Sequence, residues 1–174
     1  IALWEFSNDI LGGDNNLGLS FGNPVITKRT DGTWVVVFSS GYNNVSPGDG
    51  NGRLFVVNAN TGQRIMSVQT FTSGTTPAGT TTTPSGLAKI NAWIDSPIDN
   101  TARRFYGGDV LGNLWRFDID NLVAPNQAAL RLAYFEEARA LLAQDKSEAE
   151  EAFALVGVGR AMSRLGDFAG AAPI

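Results

Sequence analysis

The chain has 174 residues, 43% of them hydrophobic, and a net charge of −4; this suits one domain or two small ones with a core, and excludes wholesale disorder. The negative balance without a basic cluster argues against a nucleic-acid footprint, and no run of 18 apolar residues is present to span a membrane. Cysteine and histidine are both absent, which excludes disulfides, thiolate chemistry, imidazole triads and His-ligated metal sites.

Ala2-Leu3-Trp4-Glu5-Phe6 alternates and predicts a lone strand. Residues 7–22, rich in Asn, Asp and Gly, predict a loop. Strands are predicted at 24–28 and 33–38, joined by the hairpin signal Asp31-Gly32. A Pro/Gly-rich connection at 46–52 leads into a strand at 54–58, and Asn60-Thr61-Gly62 turns the chain into another at 64–69. These four strands compose one complete blade. Residues 70–86 are low in charge and rich in Thr and Gly, and read as a mobile loop between blades. A second meander starts at 87–94 and continues through 104–106 and 114–117, with 129–132 its candidate fourth strand. Along its third strand Trp115 and Phe117 alternate with Leu114, Arg116 and Asp118, so the aromatics share one face.

The stretch from Gly52 to Asn60 matches that from Gly112 to Asp120 position by position in residue type, an offset of 112 − 52 = 60 residues. A repeat of short strands predicts propeller blades or a related radial β array. From residue 127 the composition shifts to Ala, Leu, Glu and Arg with helical periodicity. One helix is predicted over about 128–144; a second runs from the capping box of Ser147 and Glu150 to about Arg164, and a third opens at Phe168. The expected fold class is therefore mainly β with an α-helical C-terminal tail. A partial β-propeller of about two antiparallel four-stranded blades occupies 1–126, and a helical hairpin segment occupies 127–174. The chain opens on Ile1 without an initiator Met or signal peptide and closes on Pro173-Ile174, so a fragment, or a join of fragments near residue 133, is expected.

Leu3-Trp4-Glu5-Phe6-Ser7, Gly22-Asn23-Pro24-Val25-Ile26, Asp31-Gly32-Thr33-Trp34-Val35-Val36-Val37-Phe38, Gly41-Tyr42-Asn43 and Tyr106-Gly107-Gly108-Asp109 through Leu114-Trp115-Arg116-Phe117-Asp118 together resemble the C-terminal β-propeller of the type IV pilus-associated PilC/PilY adhesin family. The likeness covers roughly residues 1–132. Val57-Asn58-Ala59-Asn60-Thr61-Gly62 and Gly112-Asn113-Leu114-Trp115 are also similar to the broader quinoprotein-type propeller repeat. The pilus family often carries a calcium loop before its Tyr-x-Gly-Asp segment. Here the ligand positions fall on Asp95, Pro97, Asp99 and Arg103. Two of four carboxylates remain and Arg103 adds repulsion, so the loop is expected to be vestigial and empty of calcium. The preferred reading is a turn built on Asp99-Asn100. In the tail, Leu155, Val158, Gly159, Met162, Gly166, Asp167, Phe168 and Ala171 resemble the first helix and turn of a tetratricopeptide repeat.

No residue is assigned to catalysis or to a cofactor. Asp109 and Asp118 read as turn or edge residues, and Asp95 with Asp99 makes an improbable carboxylate pair for glycoside chemistry. Trp4, Trp34, Trp93 and Trp115 read as core in preference to a carbohydrate-stacking surface. Glu136-Glu137, Glu148 and Glu150-Glu151 read as a solvated helical face. The resemblance implies a non-enzymatic, exported module at the cell surface, pilus or outer membrane. Its expected partners are pilus proteins or a surface ligand, and its role is attachment and pilus assembly. The alternatives are a tetratricopeptide scaffold whose helices bind a protein, and a part of a quinoprotein-like propeller. Two blades leave open strand edges that a closed ring would cover. The isolated chain is thus expected to fold poorly alone, and calorimetry showing a sharp, reversible, concentration-independent melt would refute this.

Overall fold

The computed structural model describes residues 3–8, 12–73, 76–96, 98–120 and 129–134. Four strands open the chain: β1 (Val25–Lys28), β2 (Trp34–Ser39), β3 (Arg53–Asn58) and β4 (Arg64–Gln69). Each pairs antiparallel with the next. The β1–β2 turn follows from its sequence. Gly32 takes φ +84°, which a side chain resists, and Asp31 Oδ1 accepts the Thr33 N–H at 2.8 Å. A small hairpin of β5 (Phe71–Ser73) and β6 (Thr76–Pro77) leads on to β7 (Ile90–Ser96), β8 (Thr101–Gly108), β9 (Asn113–Asp118) and β10 (Ala129–Tyr134). The last four again pair in sequence, antiparallel. One parallel bridge, Lys28 with Thr101, joins the two meanders into a continuous sheet path.

The apolar faces of both meanders meet in one core. Val35, Val37, Leu54, Val56 and Val68 come from the first, and Ile90, Ala102, Phe105, Trp115 and Phe117 from the second, with Leu87 and Ile119 beside them. Strict alternation would put Ala102 and Phe105 on opposite faces of β8. The β7–β8 register shifts between Trp93–Arg104 and Ile94–Ala102, and this bulge lets both side chains face inward. The 60-residue repeat is thereby explained, since its two copies are β3 and β9, the third strands of their meanders.

Hydrogen bonds tie the meanders together beyond the core. Asp120 accepts Arg29 Nε at 2.9 Å and both the N–H and the hydroxyl of Thr30 at 3.0 Å. The Asn100 carbonyl accepts Lys28 N–H at 3.0 Å and the Thr27 hydroxyl at 2.6 Å. At the other end Gly41 and Leu87 exchange two backbone bonds, and Val110 N–H donates to Ser85 O at 2.8 Å.

Several expectations are corrected. Residues 3–7 form no strand; they lie as a strap on the reverse face of the first meander. There the Phe6 ring meets Phe38 and Phe55 at 5.2 and 5.5 Å, and Trp4 Nε1 donates to Ala59 O at 2.9 Å. Trp115 is 1% exposed, whereas Trp34 is 44% exposed with Lys28 Nζ 5.7 Å above its ring. Trp4 and Trp93 are only partly buried. Alternation explains Trp34: it shares a β2 face with Val36 and Phe38, opposite the core residues Val35 and Val37. The segment expected as a mobile loop holds the β5–β6 hairpin and is fastened at its far end by hydrogen bonds described below. Of the two readings of the segment after 127, the fourth strand at 129–132 and a helix from about 128, the structure has the strand, β10 over Ala129–Tyr134. The chain divides into compact units after Tyr134. Beyond that residue the expected helices lie outside the described residues, as do Glu136 and the other tail glutamates. Among the described residues no helix is long and apolar enough to cross a membrane.

Removing the Trp115 ring by Trp115→Ala should cost about 3–5 kcal/mol, the usual penalty for a buried aromatic. Trp34→Ala should cost less than about 1 kcal/mol, because a half-exposed ring leaves little cavity. Urea denaturation of both variants against the parent measures the difference, and equal losses would contradict this placement of the core.

Candidate functional site

The turn between β8 and β9 is built on one carboxylate. Asp109 is 3% exposed, and its Oδ1 accepts the N–H groups of Leu111 at 3.0 Å and Asn113 at 2.8 Å. Its Oδ2 accepts Asn113 Nδ2 at 2.7 Å and Trp115 Nε1 at 2.8 Å. Burial pushes the Asp109 carboxyl above the ordinary carboxylate range, with the four donated hydrogen bonds acting in the opposite sense. Asp118, also buried, accepts Asp120 N–H at 3.0 Å. Of the turn or edge roles expected for them, both take the turn role, and they fasten those turns from buried positions.

Asp99 Oδ1 accepts Thr101 N–H at 2.9 Å, and Asn100 takes φ +58°. This is the turn geometry anticipated for Asp99-Asn100. Asp95 lies in β7, and the neighbouring Pro97 is outside the described residues. Among the described residues no three acidic side chains gather as a metal-binding group.

The end of the two meanders that Asp109 organises exposes apolar side chains to which the sequence reading gave no site role. Leu19 pairs with Tyr42 through two backbone hydrogen bonds of 2.7 and 3.0 Å, and the rings of Phe21 and Tyr42 lie 6.3 Å apart. Gly86 sits under Tyr42: a Cβ there would lie 3.1 Å from Tyr42 Cδ1. Ser85, next in the chain, carries Val110 by the backbone bond already described. Phe21 is 75% exposed, Leu19 57% and Val110 55%, with Leu111 beside them at 37%. Apolar groups gathered at one loop end suit contact with another macromolecule. No periodicity marks these residues, because they occupy loops; the signal available was large apolar side chains standing alone among Gly, Asn and Ser.

The sequence model of a family described as the PilY1 beta-propeller domain matches residues 2–151. A type IV pilus biogenesis factor PilY1 homolog of Xylella fastidiosa is 32% identical over 120 residues, covering 68% of this chain and 8% of its own length. The type IV pilus biogenesis factor PilY1 of Pseudomonas aeruginosa is 32% identical over 117 residues, 67% of this chain and 9% of its own. The crystal structure of the Pseudomonas aeruginosa PilY1 C-terminal domain aligns with a TM-score of 0.53 at 31% identity, covering 67% of this chain and 21% of that one. The chain thus spans a small part of each relative. These matches carry no tetratricopeptide likeness into the tail.

Asp109→Asn should destabilise the fold by about 1–3 kcal/mol at neutral pH, since an amide NH2 facing Trp115 Nε1 and Asn113 Nδ2 leaves buried donors unpaired. The pH dependence follows from the raised folded value. Between the unfolded and folded values the folded chain holds the extra proton, so this group's stability is complete below the ordinary carboxylate value and lost as pH rises through the raised one. The amide of the variant does not titrate. The stability gap between parent and variant should therefore be wider in acid than at neutral pH, as measured by thermal melts across that range; a constant gap would contradict the raised value.

Proposed function

The chain belongs to the PilY1 β-propeller domain family, and from that premise we propose that it serves surface attachment and pilus assembly without enzymatic chemistry of its own. The observation that carries this reading is the exposed loop end of Leu19, Phe21, Tyr42, Val110 and Leu111, mounted on two packed meanders. An apolar end on a rigid β scaffold is suited to dock a protein surface: it offers area without flexible charged side chains to immobilise. The relatives are named as type IV pilus biogenesis factors, which makes a pilus protein or a surface ligand the partner proposed here. Export to the cell surface, the pilus or the outer membrane belongs to the same proposal. The buried carboxylates favour a binding role over a catalytic one, because Asp109 and Asp118 are consumed by turns.

Losing one such anchor weakens a protein contact on the order of tenfold. In cells making the full-length protein, Phe21→Ser with Val110→Ser should therefore reduce surface pili, attached cells or both several-fold, with the variant present at the parent's level. Unchanged piliation and attachment would remove this end of the molecule from the function.

A further inference from the structure

We propose that the turn at residues 80–83 is an O-glycosylation site, accepting neutral sugar on the hydroxyls of Thr81 and Thr83. Thr80, Thr81, Thr82 and Thr83 are consecutive and all exposed, and Pro77 and Pro84 bracket them. A Thr run between prolines is a composition associated with O-linked sugar. Here the structure adds presentation. Thr80 N–H donates to Thr83 O at 3.0 Å, and the Thr80 hydroxyl accepts Thr83 N–H at 3.0 Å and pairs with the Thr82 hydroxyl at 3.1 Å. The hydroxyls of Thr81 and Thr83 make no hydrogen bond among the described residues, so they stand in water as free nucleophiles.

The base of this turn is held by buried polar groups. Asn51 Oδ1 accepts Gly79 N–H at 3.1 Å and the Thr70 hydroxyl at 2.8 Å, and Asn51 Nδ2 donates to Thr70 O at 2.9 Å. The Ser85 hydroxyl accepts Gly52 N–H at 2.8 Å, and Ser85 N–H donates to Gly50 O at 2.9 Å. Asn51, Thr70 and Ser85 are fully buried. Gly50, at φ +78°, lets the Thr80 carbonyl approach a space that a Cβ would fill. A run that would otherwise be floppy is thus displayed as a fastened projection, accessible to a transferase from the solvent side.

Charge separates sugar from phosphate as the modifying group. From residue 65 through 88 there is no charged side chain, so a phosphate would find no nearby cation of this segment to pair with, whereas a neutral sugar needs none. In the transfer, Thr Oγ1 forms a bond to the anomeric carbon of a sugar activated on a phosphate carrier. The bond from that carbon to the carrier breaks, the carrier departs with the electron pair, and the hydroxyl proton passes to a base of the transferase.

This proposal does not depend on the pilus reading, and its test is separate. The full-length protein is purified from the cells that make it and cleaved with trypsin, which releases residues 65–89 as one peptide. Mass spectrometry should find that peptide heavier by whole sugar residues, with the increment released by alkaline β-elimination. A Thr81→Val, Thr83→Val chain, which keeps all three Thr80 contacts, should lack the increment. The unmodified mass alone, a phosphate increment, or an increment that survives in the double variant would each overturn the proposal.

Discussion

Once the Trp115 ring is enclosed between the two meanders, its indole hydrogen must find an acceptor inside the protein, and Asp109 provides it. That requirement propagates. The carboxylate can reach the indole only if the chain doubles back immediately after β8, and the same two oxygens take the Leu111 and Asn113 N–H groups that such a turn leaves open. Core burial and turn geometry are thus one constraint. Val110 and Leu111, at the crest of the turn, are pushed outward by it. The exposed loop end follows from how the buried indole is satisfied.

The first meander repeats the device with a different outcome. Asp49 stands 60 residues before Asp109 and four before β3, as Asp109 stands four before β9. Its Oδ1 accepts Asn51 N–H at 2.9 Å, and its partner at the fourth position is Arg53 in place of Asn113. Where the second meander has Trp115, the first has Phe55, which needs no acceptor, and Asp49 is accordingly free to lie at the surface. Asn58 and Asp118 preserve the correspondence at the far ends of the same strands, each accepting the N–H two residues on. One blade plan therefore tolerates a buried or an exposed anchor, depending on whether the core residue carries a polar atom.

This explains which features could be read from the chain. Alternation on β2 and β9 and the turns at Gly32 and Gly62 are local, and the strands of the first meander were visible in them, whereas residues 129–132 carried strand and helix signals at once. Three things were not. Which face of β2 meets the other meander depends on packing between sheets, so Trp34 could not be told from Trp115 by hydrophobicity. The strap at residues 3–7 alternates like a strand yet is held by Trp4 stacking over Gly62, where a Cβ would come within 2.6 Å of the ring, and by Phe6 on Phe38 and Phe55. No periodicity encodes that docking. Asp120 reaches Arg29 and Thr30 across 91 and 90 residues, a pairing that composition cannot reveal.

The two ends of the meanders divide the work of holding and of contact. At one end the ties between meanders engage side chains, with Asp120 bonded to Arg29 and Thr30 and the Asn100 carbonyl accepting the Thr27 hydroxyl. At the other end the ties between meanders run mostly through backbone atoms of Gly41, Ser85, Leu87 and Val110, with the Ser39 hydroxyl donating to Ala88 O at 3.1 Å. Backbone ties leave side chains unspent. Leu19, Phe21, Tyr42 and Leu111 can therefore face solvent without loosening the joint between the sheets. A fold whose cohesion at one end is carried mostly by main-chain bonds can vary the exposed side chains there, Phe21 and Val110 among them, without losing those bonds.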